Sequence, residues 1–159
     1  MEATKTADTG ETQTLEQKSA KLRDELSQFT GTTAYYRHAL ARSFLYTDGV
    51  RHFAENAGNG AYWLLDILAT ERKIRVSVNR QMLIFAKLRV NRRNSASNSC
   101  KADLIVYEDV TDEGDGFTGV SYKRHLQYTD CPPGEWDFYL GLNDVDGRPV
   151  VIACLPSEN

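Results

Sequence analysis

One run constrains this chain more than any other. Ala61-Tyr62-Trp63-Leu64-Leu65-Asp66-Ile67-Leu68-Ala69 carries a single charge and no alternation, which predicts a helix over 62–69. A helix apolar almost all round belongs in the middle of a core. It needs other layers around it, and its flanks are patterned to supply them. Upstream, Leu15, Leu22, Leu26 and Phe29 recur at helical spacing among Glu, Lys, Arg and Gln, predicting an amphipathic helix over 15–28 with Gly31 as its stop. Tyr36, Leu40 and Phe44 place a second helix at 34–44. Tyr46-Thr47-Asp48-Gly49 reads as a turn, and a short helix over 50–57 ends at Gly58.

Beyond the apolar run, from Ile74 onward, the period changes to two. Met82, Ile84, Ala86, Leu88 and Val90 form one apolar face, the first clear strand. A polar loop over 91–101 leads to a second strand at 103–108, and Thr111 to Gly116 closes a hairpin. Val120, Tyr122, Leu126 and Tyr128 mark a third strand, and Trp136, Phe138, Leu140 and Leu142 the inward face of a fourth. Asp146-Gly147 turns the chain into a fifth over 150–155, which Pro156 ends. Short connections favour antiparallel pairing, because parallel neighbours need a long crossover. The expected fold is α+β, with N-terminal helices packed on one face of a roughly five-stranded antiparallel meander. A tail over 1–14 has nothing to bury and is expected to be disordered, leaving a single domain over 15–159.

The chain's 159 residues, 41% hydrophobic and 26% charged, are enough for one core rather than two. Cys100, Cys131 and Cys154 are odd in number, with no Cys-x-x-Cys pair and no histidine at ligand spacing, which argues against a disulfide framework and a zinc site. The first fourteen residues hold no apolar leader and no later window approaches a membrane span. A cytoplasmic protein without a membrane partner is expected.

The net charge of −3 is unevenly spread. Nine basic residues and no acid lie between Arg72 and Lys101, followed by six acids and no base between Asp103 and Asp115. Lys87, Arg89, Arg92, Arg93 and Lys101 are therefore the candidate partner-binding residues. They suit phosphates, where such contacts set affinity and its salt dependence. The plainer reading pairs Lys87 and Arg89 with Asp103 and Glu108 across neighbouring strands, at about 0.2 to 1 kcal/mol each.

Asp66 lies inside the apolar run, where a carboxylate needs partners or a raised pKa. It is expected either to anchor Tyr36, Arg37, Arg42 or the turn at Asp48, or to act as a general acid or base. His52 stands near Asp48 and Glu55 in sequence, while His38 and His125 fall on other elements as surface imidazoles, so no metal site is expected. Tyr36, Arg37, Asp48, His52 and Asp66 make up the candidate polar site. No nucleophile elbow and no phosphate-cradling glycine loop is present, so no catalytic residue and no cofactor is assigned. Tyr107 and Tyr139 are candidates for an aromatic patch on the outer sheet face.

Several short motifs resemble one family. They are Phe29-Thr30-Gly31-Thr32, Tyr36-Arg37, Tyr46-Thr47-Asp48-Gly49-Val50, Ala54-Glu55 with Ala57-Gly58, Ala61 to Asp66, Tyr128-Thr129-Asp130 before Pro132, and Leu155-Pro156-Ser157-Glu158. Together, over about Leu26 to Glu158, they resemble a domain-of-unknown-function family of small bacterial and mobile-element proteins, including phage proteins. The resemblance implies a compact stand-alone domain and an association with mobile DNA, and no activity. The basic loop over 91–101 and the N-terminal tail depart from its pattern.

The reading of this sequence is a non-enzymatic protein-interaction domain, in its sharpest form a mobile-element or phage factor acting on a host defence protein. Two alternatives stay open. One is a nucleic-acid-binding domain using the basic 72–101 segment, and the other a small hydrolase or transferase centred on Asp66.

Overall fold

The computed structural model describes residues 14–94, 99–109 and 117–159. Helix α1 (Leu15–Leu26) opens on a capping box: the Thr14 hydroxyl accepts from the Gln17 amide at 3.1 Å and the Gln17 side chain accepts from the Thr14 amide at 2.9 Å. Leu22 is its fully buried residue. The Arg23 guanidinium lies 4.5 Å from the centre of the Trp136 ring, and Ser19 donates to the Pro133 carbonyl at 2.6 Å. These contacts pin α1 to the sheet.

Residues 34–44, expected as a helix, form β1 (Tyr35–Arg37), a turn and the start of β2 (Phe44–Thr47). The helical spacing misled because its middle residue, Leu40, is 81% exposed. Tyr36 instead stacks on Tyr46 across the strand pair, ring centroids 5.8 Å apart. His38 Nδ1 accepts the Leu40 and Ala41 amides at 3.2 and 3.0 Å, serving backbone donors that a helix would have served itself. Tyr46 to Gly49 is likewise no free turn. Thr47 ends β2, and its hydroxyl accepts from the Val50 amide at 3.3 Å to cap α2 (Asp48–Asn56).

Helix α3 (Tyr62–Thr70) forms where the apolar run predicts it. It buries Leu64, Leu65, Leu68 and Ala69 but turns Tyr62 and Asp66 outward, so it is a covering helix rather than one enclosed all round. Helix α4 (Arg72–Gln81) replaces the strand pattern expected from Ile74. Alternating β-branched residues at 74, 76 and 78 imitate a strand, yet the buried positions are Ile74, Ser77 and Val78, one helical side, and Val76 faces out. Met82, with φ at 71°, ends α4 as an exposed residue and is not part of the inner sheet face.

The five expected strands are β3 (Leu83–Arg92), β4 (Cys100–Asp109), β5 (Phe117–Thr129), β6 (Gly134–Val145) and β7 (Arg148–Cys154). The hairpin turn expected at 111–116 lies outside the described residues. With β1 and β2 the sheet has seven strands in the order β1-β2-β7-β6-β3-β4-β5, and it is mixed, not a five-stranded meander. Two pairings make the difference. Strand β6 leaves β5 and takes its place beside β3, with Ile84, Ala86 and Leu88 opposite Leu140, Phe138 and Trp136. An inner face this apolar is best buried at the centre of the sheet, where the Phe53 ring of α2 packs 5.6 and 5.1 Å from Trp136 and Phe138. Strand β2 then runs parallel to β7, Phe44 opposite Val151, with most of the chain as the crossover that parallel pairing requires. A two-residue turn at Asp146 and Gly147, φ 55° and 80°, joins β6 to β7 as the sequence predicts.

This order fixes what the sheet leaves open. One end is the three-residue β1, and the other is the 13-residue β5.

Candidate functional site

Among the described residues β5 pairs only with β4, so the backbone groups along its other side have no strand beside them. Val120, Lys123, Arg124, His125, Gln127 and Tyr128 are exposed along it, Tyr128 at 67%. Two clefts run between β5 and the helices. The first, about 480 Å³, lies against α3, where Trp63, Ile67, Leu126 and Tyr128 give apolar surface and Asp66 and Arg124 give charge. The second, about 440 Å³, lies against α4, with Arg72, Lys73, Val76 and Arg80 on the helix and Ser121 on the strand. Arg80 is neutralised there: Ser77 and Arg80 both donate to Glu108, at 2.6 Å each, and hold its carboxyl below the usual range. Among the described residues no carboxylate is within ion-pair distance of Arg72, Lys73, Lys123 or Arg124.

Three of the five expected partner-binding cations are already engaged by carboxylates. Lys87 Nζ sits 2.7 Å from Glu135 and 3.7 Å from Asp137, and Arg89 donates to Glu135 at 3.1 Å. The cross-strand partners are thus on β6, not the expected Asp103 and Glu108 of β4. Arg89 does stand opposite Asp103 in register, but Asp103 takes His125 at 2.8 Å. The Glu135 bond raises the Lys87 pKa, the same bond holds Glu135 down, and burial pushes Asp137 up. Arg92 forks onto Glu16 of α1 at 2.7 and 3.0 Å. Arg93 donates to the Gln127 carbonyl, and Lys101 is exposed on β4. Phe85 lies between Tyr107 and Tyr139 on the outer sheet face, centroids 6.2 and 5.6 Å away, so the two tyrosines expected there do share a patch.

Tyr36, Arg37, Asp48, His52 and Asp66 do not converge. Tyr36 lies under the Arg51 guanidinium at 4.4 Å, and Arg37 donates to the Arg42 carbonyl. Asp66 is 63% exposed and meets His38 Nε2 at 2.8 Å, so the buried anchor expected of it is corrected: α3 turns that position to solvent. His38, expected at the surface, is the buried partner of that pair. His52 pairs with Glu25 at 3.0 Å rather than Asp48 or Glu55, and Glu55 takes Arg51 at 3.3 Å.

Asp48 belongs to a cluster that sequence reasoning missed. Glu158 Oε1 accepts from the Thr47 hydroxyl at 2.6 Å and the Leu155 amide at 2.9 Å, and its Oε2 accepts from the Gly49 amide at 3.1 Å. Thr33 donates to Asp48 Oδ2 at 2.9 Å, while Asp48 Oδ1 is buried and has no donor among the described residues. Burial, reinforced by Asp48, raises the Glu158 pKa; Asp48, although burial opposes it, is held down by the bonds it receives. The two carboxyl groups are thus shifted apart, Glu158 upward and Asp48 downward. A cleft of about 360 Å³ opens beside it, reached by Tyr35, Thr47, Tyr139, Asn143 and Cys154. The only sequence trace of this cluster is that its residues fall within the motifs at 29–32, 46–50 and 155–158 or next to them.

Among the described residues no group of three His, Cys, Asp or Glu side chains is placed to hold a metal, and no helix is long and apolar enough to cross a membrane. The three cysteines are free thiols, and burial pushes the Cys131 thiol up to about 11. No curated protein and no solved structure matches the chain. The sequence pattern of DUF6876, a family of unknown function, matches residues 20–159, in keeping with the resemblance read from the motifs. The chain belongs to the DUF6876 family.

Proposed function

We propose that this chain is a non-enzymatic protein-interaction domain that receives an extended segment of its partner along β5. One observation carries the reading: a 13-residue strand at the end of the sheet has, among the described residues, no neighbour on its outer side and a helix-lined cleft beside it. An extended chain laid there gains main-chain hydrogen bonds from the edge and side-chain contacts from the cleft. Edges this long are otherwise an aggregation hazard. The resemblance to mobile-element proteins extends the proposal to a host protein as the partner.

Nucleic-acid binding ranks second. Lys87, Arg89 and Arg92 hold carboxylates of their own, so phosphate contacts from them would have to displace Glu135 and Glu16. The enzymatic reading on Asp66 ranks third, with His38, among the described residues, as its only titratable neighbour in ion-pair contact.

The test is selection of linear peptides on the immobilised domain, followed by amide hydrogen exchange of the domain with the selected peptides. Slowed exchange along β5 is the expected result. Failure to select any peptide, or selected peptides that leave β5 exchange unchanged, would overturn the reading.

A further inference from the structure

Resting on that reading, we infer that the segment received by β5 is an acidic-apolar peptide, with carboxylates at the end that lies along α4 and an aliphatic or aromatic anchor at the end that lies along α3. The two clefts differ in chemistry and are ordered along one strand. Ser121 marks the α4 cleft, while Leu126 and Tyr128 mark the α3 cleft. At about 3.3 Å per residue, roughly five residues from Ser121 to Leu126 span about 17 Å, so a segment of about eight residues reaches both.

The α4 end is basic. Arg72 and Lys73 line the cleft, Lys123 follows on the strand and Arg124 stands where the α3 cleft begins, and among the described residues none of the four has a carboxylate partner within ion-pair distance. Glu108, the acid in that cleft, is already satisfied by Ser77 and Arg80. Carboxylates of the incoming segment would be the missing partners. Lys123 and Arg124 point to opposite sides of the strand, so acids at successive positions are both served. The α3 end is apolar apart from Asp66, Arg124 and Asp130. Trp63, Ile67 and Leu126 are half-buried, and Tyr128 stands exposed above them, which suits one large hydrophobic side chain.

Two other occupants fit less well. A second copy paired edge to edge about the middle of β5 would set Lys123 against the same residue of its partner, and like charges directly opposite are unfavourable. A nucleic-acid strand would bring phosphates past Asp66 and Asp130 in the α3 cleft, and it has no backbone donors and acceptors at strand spacing to match the edge.

The experiment measures binding of three synthetic ten-residue peptides by fluorescence anisotropy at low salt: one with Asp/Glu in one half and Leu/Phe in the other, one with Lys replacing the acids, and one with Ser replacing the apolar residues. An oligothymidine is run beside them, and sedimentation is followed with protein concentration. The acidic-apolar peptide is expected to bind tightest and to slow exchange along β5. Lys123→Glu and the double variant Arg72→Glu/Lys73→Glu should each weaken it by about tenfold or more and favour the Lys peptide. Tyr128→Ala should weaken the acidic-apolar peptide and leave the Ser peptide unchanged. Equal binding of acidic and basic peptides, both protecting β5, would overturn this inference and leave the edge reading standing; it would mean the cations only keep the edge solvated. Absence of β5 protection by every peptide would overturn both. Oligothymidine binding lost in the same variants, or concentration-dependent dimers that protect β5, would replace the peptide with nucleic acid or a second copy.

Discussion

The Thr47 hydroxyl donates to Glu158 Oε1 at 2.6 Å, joining residues 111 positions apart. The Thr47 oxygen itself accepts the Val50 amide, so one buried hydroxyl caps α2 and holds the 3-10 turn over Pro156–Glu158 against it. Thr47→Val keeps the shape and removes both bonds. It is expected to cost about 2 kcal/mol, since a lost cap and a lost bond to a carboxyl group add. Urea denaturation at neutral pH measures it.

The raised pKa of Glu158 gives this cluster a pH signature. Because the folded pKa of Glu158 lies above the ordinary 4.5, the folded state holds more of this proton than the unfolded state at pH between the two values. The stabilisation is complete below about pH 4.5 and is lost as pH rises through the folded value. Asp48 is shifted the other way, so its contribution is present above its ordinary 3.8 and lost only in stronger acid. Urea midpoints taken upward from about pH 4.5 should fall in the wild type and stay level in Glu158→Gln. Parallel curves would mean that Glu158 is ionised in the fold.

Gly58 and Asp130 are in closer contact than any side chain would permit. A Cβ on Gly58 would lie 2.3 Å from the Asp130 carbonyl oxygen, and its φ of 63° is in the left-handed region. The Asn59 amide also donates to Asp130 Oδ2 at 2.8 Å, fixing the loop before α3 to the end of β5. Gly58→Ala is expected to destabilise by about 2 kcal/mol or more. Gly31→Ala, with nothing within 4 Å and no positive φ, serves as the control and should shift stability by less than about 0.5 kcal/mol.

The His38 ring is held in one tautomer. Nδ1 accepts two backbone amides, so the hydrogen lies on Nε2 and is donated to Asp66. A long-range proton–nitrogen spectrum near neutral pH should show Nε2–H and an unprotonated Nδ1. His38→Ala leaves the Leu40 and Ala41 amides without their acceptor and should cost on the order of 2 kcal/mol. Asp66→Asn retains an acceptor at an exposed position and should cost less than about 1 kcal/mol.

Lys87 stands between Glu135 and Asp137, largely shielded from solvent. Glu135 is held below 4.5 by that contact, so its stabilising effect is present above 4.5 and lost as pH falls through the folded value. Lys87→Met is expected to cost about 1 kcal/mol at neutral pH. The difference from wild type should shrink toward zero as both carboxylates are protonated. A difference that persists in acid would assign the cost to packing of the lysine stem instead.

Local chemistry determined a good part of this protein from sequence alone. Period-two patterning located β3 to β7, the apolar run at 62–69 located α3, and Asp146-Gly147 located the turn between β6 and β7, because each depends on neighbours a few residues away. Where short-range patterns compete, the tertiary structure decided. Tyr36, Leu40 and Phe44 have helical spacing, yet a strand pair with Tyr46 won; Ile74, Val76 and Val78 alternate, yet a helix with one buried side won. Only the assembled sheet determined that β6 sits beside β3, that β2 runs parallel to β7 and that β5 is left at the edge. The same holds for the contacts of charge: Lys87 with Glu135, Arg92 with Glu16, and Thr47 with Glu158 link residues 48, 76 and 111 positions apart. Strand order and long-range ion pairs are set by which apolar faces must be buried together, and that is a property of the whole chain rather than of any window of it.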